Sequence, residues 1–305
     1  MPGSRIRYEK LPTESQNRAS RALDRLTPRA IAALMNREYR RAVAAVGRVR
    51  REIAEAVHLV VGALRGGGRL VFVGAGTSGR LGVLEAAECP PTFGTPPRLV
   101  QAIMAGGRGA VFRSREGAED DAAAARRAVR ARVRRGDAVV GISASGVTPF
   151  VSAALVEARR RGAATVLVTC NARVRRRAAA RVIIAPAPGP EVLAGSTRLK
   201  AGTATKLVLN TLTTASMTRL GKVYGNRMVD LQPRSAKLRA RALRLVEELG
   251  GVSRGRARKL LAEARGRVRL AIVMARRRLG ARPAARILGE AGGSLRAALQ
   301  EGRRR

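Results

Sequence analysis

From residue 69 onward, short apolar runs alternate with helical segments, and this alternation constrains the fold more than any other feature of the sequence. The runs lie at residues 69–74, 98–104, 137–142, 164–169 and 181–185. Strands that are separated by helices pair in parallel, and the helices then cover both faces of the sheet. The pattern therefore predicts an α/β fold with a five-stranded, doubly wound parallel sheet sandwiched between helices.

The regions on either side of this alternation have a helical pattern. Residues 17–65 carry apolar positions at helical spacing, and a long apolar helix is predicted from about 198 to 220. After Gln232 and Pro233 the sequence turns into short segments rich in Ala, Leu and Arg. We therefore predict three parts: an N-terminal helical segment over 1–55, a ligand-binding domain over 56–234 and a small all-helical domain over 235–305.

The chain is strongly basic, with 61 Lys and Arg against 21 Asp and Glu and a net charge of +40. Clustered cations would favour nucleic-acid binding, because they neutralise phosphates and release counterions. The alternative is the arginine-rich codon usage of a GC-rich genome. The arginines are spread along the chain, and aromatic residues that could stack on bases make up only 2% of it. We therefore expect no specific nucleic-acid partner.

Cysteine and histidine are too rare for a disulfide framework or a zinc site held by the protein. Cys89 and Cys170 lie far apart, and His58 is the one histidine. The N-terminal sequence lacks the apolar core of a signal peptide. The longest uncharged stretch, Ala138–Val156, is interrupted by Gly, Ser, Thr and Pro and is not typical of a membrane span. We expect a cytoplasmic protein with no metal and no membrane contact.

A glycine-rich loop, GAGTSGRLG (residues 74–82), follows the first apolar run. It contains the G-x-G-x-x-G spacing of dinucleotide sites, but such sites also need an acid at the end of the second strand. That strand ends QAIMAGG, without an acid. Thr77 and Ser78 instead bring hydroxyls to the N-terminus of a helix, which attracts anions. The loop therefore favours a phosphate, and its helix is predicted to end near Cys89–Pro91, since proline cannot continue it.

A second loop, in the stretch GISASGVTPF, follows the third apolar run and opens a helix. Thr148 is expected at the N-cap and Pro149 at the first helical position. Ser143, Ser145 and Thr148 supply hydroxyls, and Gly146 allows close approach of the backbone. These residues could serve only as caps, but two hydroxyl-rich loops at the carboxyl ends of parallel strands are where an open α/β sheet binds ligands. The two loops together predict a phosphate site.

The strand, G-T-S loop, strand and S-x-S-G-x-T loop together resemble the sugar isomerase (SIS) domain, which binds phosphosugars. Other blocks closely resemble the N-acetylmuramic acid 6-phosphate etherase family: TESQNRAS, VGAGTSGRLGVLEAAECPPTFGTPP, EGAEDD, GPEVLAGSTRLKAGTATKLVLN and GKVYGNRMVD. The blocks ECPPTFGTPP and GSTRLKAGTA are the most specific of these. The resemblance extends over nearly the whole chain and is looser in the C-terminal helical region.

This resemblance implies a cofactor-free lyase of cell-wall recycling. The family cleaves the lactyl ether of its phosphosugar to give D-lactate and N-acetylglucosamine 6-phosphate, by elimination across C2–C3 and addition of water at C3. Such chemistry needs an acid and a base, and two carboxyls can supply both. The family's two catalytic glutamates fall on Glu88 and Glu119. We expect Glu88, near a helix end among apolar residues, to be the acid for lactate departure and Glu119 to be the base toward water.

The resemblance also implies which residues contact the substrate and which oligomer forms. The predicted phosphate-binding residues are Thr77, Ser78, Ser143, Ser145, Gly146 and Thr148. Further possible substrate contacts are Gly76, Ser196, Lys200 and Lys206, although either lysine could instead form a salt bridge with a neighbour. Glu85 is expected to be structural or to support the catalytic pair. A homodimer is expected, with sites completed across its interface.

Three departures from the family pattern and three rival functions remain. One departure is the net charge of +40, which is far more basic than expected of the family. Val147 stands where the family usually has arginine, and Ser235 stands where asparagine is frequent. The rivals are a non-catalytic phosphosugar sensor, a phosphosugar-responsive transcription regulator and a ketose–aldose isomerase. Both Glu88 and Glu119 are present, which argues against a sensor. The N-terminal residues lack a helix-turn-helix pattern, and the ECPP and EGAED blocks argue against an isomerase.

Overall fold

The computed structural model describes residues 9, 11–176, 179–231, 233 and 235–300. Gln232 and the outermost parts of the two predicted terminal segments lie outside the described residues. The chain divides into two compact units. The first comprises the described residues as far as Ala87 together with Arg98–Thr213, and the second comprises Glu88–Pro97 together with the described residues from Thr214 onward. The domain boundaries predicted at 55/56 and 234/235 stay a prediction.

The first unit contains one five-stranded parallel sheet. Its strands are β1 (Leu70–Gly74), β2 (Val100–Met104), β3 (Ala138–Ile142), β4 (Ala164–Val168) and β5 (Val182–Ile184). Their order across the sheet is β2-β1-β3-β4-β5, and every pairing is parallel. All residues of β1 and β3 are buried, as expected for a sheet with both faces covered. The predicted five-stranded parallel sheet is confirmed.

The order of the strands creates a switch point beside β1. The chain forms β2 on one side of β1 and then crosses to the other side to form β3. At the carboxyl edge, Gly74 pairs in register with Met104 of β2 and with Ile142 of β3. Ligands of open α/β sheets bind in the crevice at such a reversal. The two hydroxyl loops, which follow β1 and β3, therefore lie side by side at this edge.

Seven α-helices begin within the described residues of the first unit: α1 (Pro28–Arg48), α2 (Arg50–Arg65), α3 (Gly76–Phe93), α4 (Gly109–Phe112), α5 (Ala122–Arg132), α6 (Pro149–Arg160) and α7 (Lys200–Arg219). The boundaries between the two units fall inside α3 and α7. The predicted helices over 17–65 and 198–220 are confirmed, with two short 3₁₀ helices preceding α1. Aliphatic side chains of α5 and α6 pack against β1 and β3 to form a continuous core.

The helix α3 continues to Phe93, two residues beyond the end predicted near Cys89–Pro91, and both prolines lie inside it. A proline lacks the N–H donor, but its carbonyl can still accept a helical hydrogen bond. The Pro90 carbonyl accepts from the Gly94 N–H at 3.0 Å, which closes the last turn. Gly94 has a φ of 63°, and this left-handed residue ends the helix.

The second unit is almost entirely helical. It holds the hairpin of β6 (Val223–Tyr224) and β7 (Arg227–Met228), followed by α8 (Ala236–Gly250), α9 (Arg254–Glu263), α10 (Val268–Arg277), α11 (Ala281–Glu290) and α12 (Leu295–Gln300). Every residue from Leu270 to Met274 in α10 is buried in the core of this unit. Asp230 accepts hydrogen bonds from Lys222 and Arg269 at 2.5 to 2.9 Å. The predicted C-terminal helical region is confirmed.

Among the helices of the described residues, none has the length and apolarity needed to cross a membrane. Over the same residues, no cluster of three or more His, Cys, Asp or Glu side chains has an arrangement that could hold a metal ion.

Candidate active site

Close packing of β1 against α3 accounts for the glycine motif after the first strand. A Cβ atom on Gly74 would lie 2.7 Å from the Gly79 nitrogen, and one on Gly79 would lie 2.6 Å from the Gly74 carbonyl oxygen and collide with Met104 Sδ. Gly76 has a φ of 53°, in the region that favours glycine. The glycines thus let the backbone turn sharply from strand to helix, and no acid stands at the end of β2 to hold a ribose.

Thr77 and Ser78 lie in the first turn of α3 and are half-buried, while Gly76 is exposed. The N–H groups of this turn have no partners within the helix, and the positive end of the helix dipole lies at the same place. Within the part of the chain that the structure describes, no side-chain hydrogen bond engages the hydroxyl of Thr77 or Ser78. This turn can therefore offer both backbone N–H groups and hydroxyls to an anion.

The second loop is held together by its own hydroxyls. Ser143 Oγ lies 2.8 Å from Thr148 Oγ1 and 3.4 Å from Ser145 Oγ, and it accepts from the Gly146 N–H at 3.0 Å. Ser145 Oγ accepts from the Val147 N–H at 3.3 Å. Thr148 is at the N-cap of α6, as predicted, but its hydroxyl bonds to Ser143 and not to the helix. The three hydroxyls predicted from the sequence are therefore brought together.

Residues that follow β4 support this second loop. The Asn171 side-chain amide donates to the Ser145 carbonyl at 2.9 Å, and the Cys170 N–H donates to the Ala144 carbonyl at 3.0 Å. Gly146 has a φ of 75° and would carry a Cβ within 2.8 Å of Thr169 Oγ1. Sequence reasoning missed Asn171, because no motif marks it and only the adjacency of β3 and β4 brings it to the loop.

A cavity of about 110 Å³ joins the glycine loop to the segment that carries Glu119. Its lining residues are Ala75, Gly76, Arg80, Met104, Ala105, Ala110, Ser114, Arg115, Glu116, Gly117, Ala118 and Glu119. The Glu119 side chain is exposed, and its backbone carbonyl accepts from the Phe150 N–H in the first turn of α6 at 2.9 Å. One predicted catalytic carboxylate thus borders the same cavity as the glycine loop.

Glu88 lies near the C-terminal end of α3 and is exposed. Within the described residues, the Glu88 side chain is therefore not enclosed by the apolar surroundings that the sequence suggested. Glu88 belongs to the second unit and Glu119 to the first. Their assignment as the catalytic pair stays a prediction.

Glu85 lies one turn before Glu88 on α3, and it is buried. Its carboxylate accepts from Lys206 Nζ at 2.7 Å and from Thr213 Oγ1 at 2.5 Å. Lys206 also donates to Asn210 Oδ1 at 2.6 Å, and its side chain keeps 32% of its surface exposed. Lys206 therefore forms a salt bridge and still presents its ammonium group at the surface.

Lys200, by contrast, is buried at the start of α7. Its Nζ donates to Glu38 Oε2 at 2.6 Å, and Asn17 Nδ2 donates to the same oxygen at 2.7 Å. Burial favours the neutral form of Glu38, but these hydrogen bonds hold the pKa of that carboxyl below its ordinary value. Of the two roles predicted for Lys200, a substrate contact or a salt bridge, the single chain shows the salt bridge.

Two further groups complete the surroundings of α7. Burial raises the pKa of Glu191, whose carboxylate accepts from the backbone N–H groups of Lys200 and Ala201 and so caps the helix. Burial also raises the pKa of the Cys170 thiol to about 12, which makes it a poor nucleophile. Ser196 is half-buried in the turn before α7.

The parallel sheet, its switch point and the paired hydroxyl loops define a domain of the sugar-isomerase class. Residues 118–215 match the SIS domain family, and residues 52–159 match the glucokinase regulatory protein N-terminal SIS domain. A solved phosphoheptose isomerase from Francisella tularensis aligns with 65% of this chain and 98% of its own, at 17% identity and a TM-score of 0.49.

Relatives that match along nearly the whole chain identify the family more specifically than these domain matches do. An N-acetylmuramic acid 6-phosphate etherase of Geobacillus thermodenitrificans is 52% identical over 96% of this chain and 99% of its own. Those of Symbiobacterium thermophilum and a Picosynechococcus species are 52% and 47% identical, over 88% and 95% of this chain and 89% and 97% of their own. The chain belongs to the N-acetylmuramic acid 6-phosphate etherase family.

Proposed function

We propose that this protein is a cofactor-free carbon–oxygen lyase. It cleaves the D-lactyl ether of N-acetylmuramic acid 6-phosphate to N-acetylglucosamine 6-phosphate and D-lactate, in the recycling of cell-wall amino sugars. The observation that carries the proposal is membership of the etherase family, with 52% identity over 96% of the chain. We further propose that it acts in the cytoplasm as a homodimer.

The phosphate of the substrate binds at the switch point between β1 and β3. The first turn of α3 supplies N–H groups and the hydroxyls of Thr77 and Ser78. The second loop supplies Ser143, Ser145 and Thr148, and the Ser143 hydroxyl already lies 3.4 Å from that of Ser145 and 2.8 Å from that of Thr148. Together they form the kind of donor array that a phosphate needs.

The chemistry takes place at C2 and C3 of the opened sugar. The aldehyde at C1 makes the C2 proton acidic, so a base can remove it while an acid protonates the ether oxygen. The C3–O bond then breaks, and lactate leaves with that oxygen. We assign Glu88 to protonate the departing oxygen. The proton taken from C2 exchanges with solvent. Glu119, as a carboxylate, then removes a proton from the water that adds at C3, and C2 regains a proton of solvent origin.

A second candidate is a non-catalytic phosphosugar sensor. It is favoured by the match of residues 52–159 to the glucokinase regulatory protein N-terminal SIS domain and by Val147 in the second loop. In a sensor the two loops would bind phosphosugar, but Glu88 and Glu119 would have no role.

Release of D-lactate from N-acetylmuramic acid 6-phosphate tests the proposal. Removing the acid or the base should lower kcat at least about 100-fold, so Glu88→Gln and Glu119→Gln should each lose most of the activity. Asp120→Asn is the matched control, because Asp120 is an exposed neighbour of Glu119 that does not line the cavity. Tight phosphosugar binding by wild type without lactate release would contradict the lyase and favour the sensor.

A further inference from the structure

Glu119 is carried by a long irregular segment between β2 and α5. Apart from the single turn of α4, residues 105–121 contain no regular helix or strand. Glu119 and its neighbours Glu116 and Gly117 are exposed. A catalytic carboxylate must be held to within a fraction of an ångström of its working position. Some contact outside the segment therefore has to fix it.

Arg80 provides such a contact. It lies on α3, two residues after Ser78, and its guanidinium reaches the end of α4. Arg80 Nε donates to the Val111 carbonyl at 2.8 Å, and Nη2 donates to the Ala110 carbonyl at 3.0 Å. Nη2 also lies 3.5 Å from Ser114 Oγ. These are the unpaired carbonyls that a short helix leaves at its C-terminus, and a cation stabilises them.

A second contact fixes the other end of the segment. The Glu119 carbonyl accepts from the Phe150 N–H at 2.9 Å, two residues after Thr148 of the second loop. Arg80 and Glu119 also line the same cavity of about 110 Å³. The segment is therefore anchored at one end to the helix of the first loop and at the other to the helix of the second.

We propose that Arg80 is a positioning residue for Glu119. By holding the C-terminus of α4 against α3, it fixes the Glu119 carboxylate relative to the turn that carries Thr77 and Ser78. This role rests on the proposed function, in which that turn holds the phosphate and Glu119 is the base. Arginine suits the task because its planar fork can engage two carbonyls at once, whereas lysine offers a single point charge.

The test compares Arg80→Gln, Arg80→Lys and a control. Arg113→Gln is the control, because Arg113 is an exposed cation of the same segment that does not line the cavity. Arg80→Gln should lower kcat on the order of 10- to 100-fold, with KM within about threefold of wild type. The kcat of Arg80→Lys should lie between those of wild type and Arg80→Gln, and the kcat of Arg113→Gln should match that of wild type. Circular dichroism and Tm establish folding, and Arg80→Lys carries the same comparison if Arg80→Gln does not fold.

A double variant separates positioning through Glu119 from an independent effect. If Arg80 acts through Glu119, adding Arg80→Gln to Glu119→Gln should lower kcat by less than about twofold. A loss in the double variant that multiplies the two single losses would overturn the proposal. So would a rise in KM at unchanged kcat, because that result would mark a direct substrate contact.

Amide hydrogen exchange distinguishes failure of this inference from failure of the proposed function. Arg80→Gln should speed exchange across residues 109–119, and Arg113→Gln should leave it unchanged. Absence of lactate release by wild type would overturn the proposed function. Hydrogen exchange would still test whether Arg80 holds α4 against α3. Exchange rates equal to wild type in Arg80→Gln would overturn the claim that Arg80 holds this segment in place.

Discussion

The two hydroxyl loops occupy equivalent places in the fold but are built in different ways. Each follows a fully buried parallel strand and opens a helix at the switch point of the sheet. The first is shaped by backbone packing between Gly74 and Gly79, which leaves the hydroxyls of Thr77 and Ser78 uncommitted. The second is shaped by bonds among its own hydroxyls, centred on Ser143. The proposed phosphate site would thus combine a preformed half with a half whose hydroxyls must exchange partners.

This difference predicts where substitutions act. In the first loop, a change at a glycine acts on folding, because backbone atoms occupy the space that a side chain would need. In the second loop, a change at a hydroxyl should act on binding. These hydroxyls contact one another and the N–H groups of Gly146 and Val147 in the free protein, and under the proposal they turn toward the ligand. Three substitutions, taken from the largest expected effect to the smallest, test this distinction.

Gly79→Ala should have the largest effect, on stability. The new Cβ would lie 2.6 Å from the Gly74 carbonyl oxygen and collide with Met104 Sδ, so β1 and α3 would have to separate. Overpacking of this kind costs about 3 kcal/mol in the free energy of unfolding, measured by urea denaturation.

Gly47→Ala is its control, because a Cβ there meets nothing within 4 Å. That substitution should change stability by less than about 1 kcal/mol. Equal effects at Gly79 and Gly47 would contradict the packing account of the first loop.

Ser143→Ala should act mainly on binding. It removes the hydroxyl that contacts Thr148, Ser145 and the Gly146 N–H. A hydrogen bond to a charged phosphate contributes on the order of 1.5 kcal/mol, so KM should rise about tenfold with a smaller change in Tm. Ser152→Ala on α6 is the control, since Ser152 is exposed and outside the loop. A large drop in Tm with an unchanged KM would mean that the hydroxyls serve only as caps.

Val147→Arg should have the smallest effect, and it should lower KM, whereas Ser143→Ala should raise it. Val147 is partly exposed in the second loop, at the position where the resemblance to the family implies arginine. An added cation near the bound phosphate contributes up to about 1 kcal/mol at a solvated site, so KM should fall about two- to fivefold. The effect should shrink as salt is raised. A higher KM in the variant would mean that the loop has adapted to valine.

The fold could be predicted from the sequence wherever one physical rule dominates over a short range. Apolar runs of five to seven residues between helical segments predict strands β1 to β5, because strands covered on both faces of a parallel sheet have that composition. The end of α3 could not be predicted, since the accepting carbonyl of Pro90 and the left-handed Gly94 outweigh the missing N–H groups.

The candidate site was predictable in its residue types and less so in its contacts. The loops follow from the sheet edge, so Thr77, Ser78 and Ser143 could be grouped in advance. Arg80 could not, because its partners lie about 30 residues away and nothing distinguishes it from the many other arginines of the chain. The pairing of Lys200 with Glu38 spans 162 residues and has no local pattern at all.

Reaction in deuterated, ¹⁸O-labelled water tests the central claim most directly. Elimination followed by hydration replaces the C2 proton and the C3 oxygen of the sugar with solvent atoms, while lactate keeps the original ether oxygen. Mass spectrometry of the products should therefore find one deuterium at C2 and one ¹⁸O at C3 of N-acetylglucosamine 6-phosphate, with unlabelled oxygen in D-lactate. A sugar that keeps its C2 proton, released with ¹⁸O in the lactate, would contradict the account.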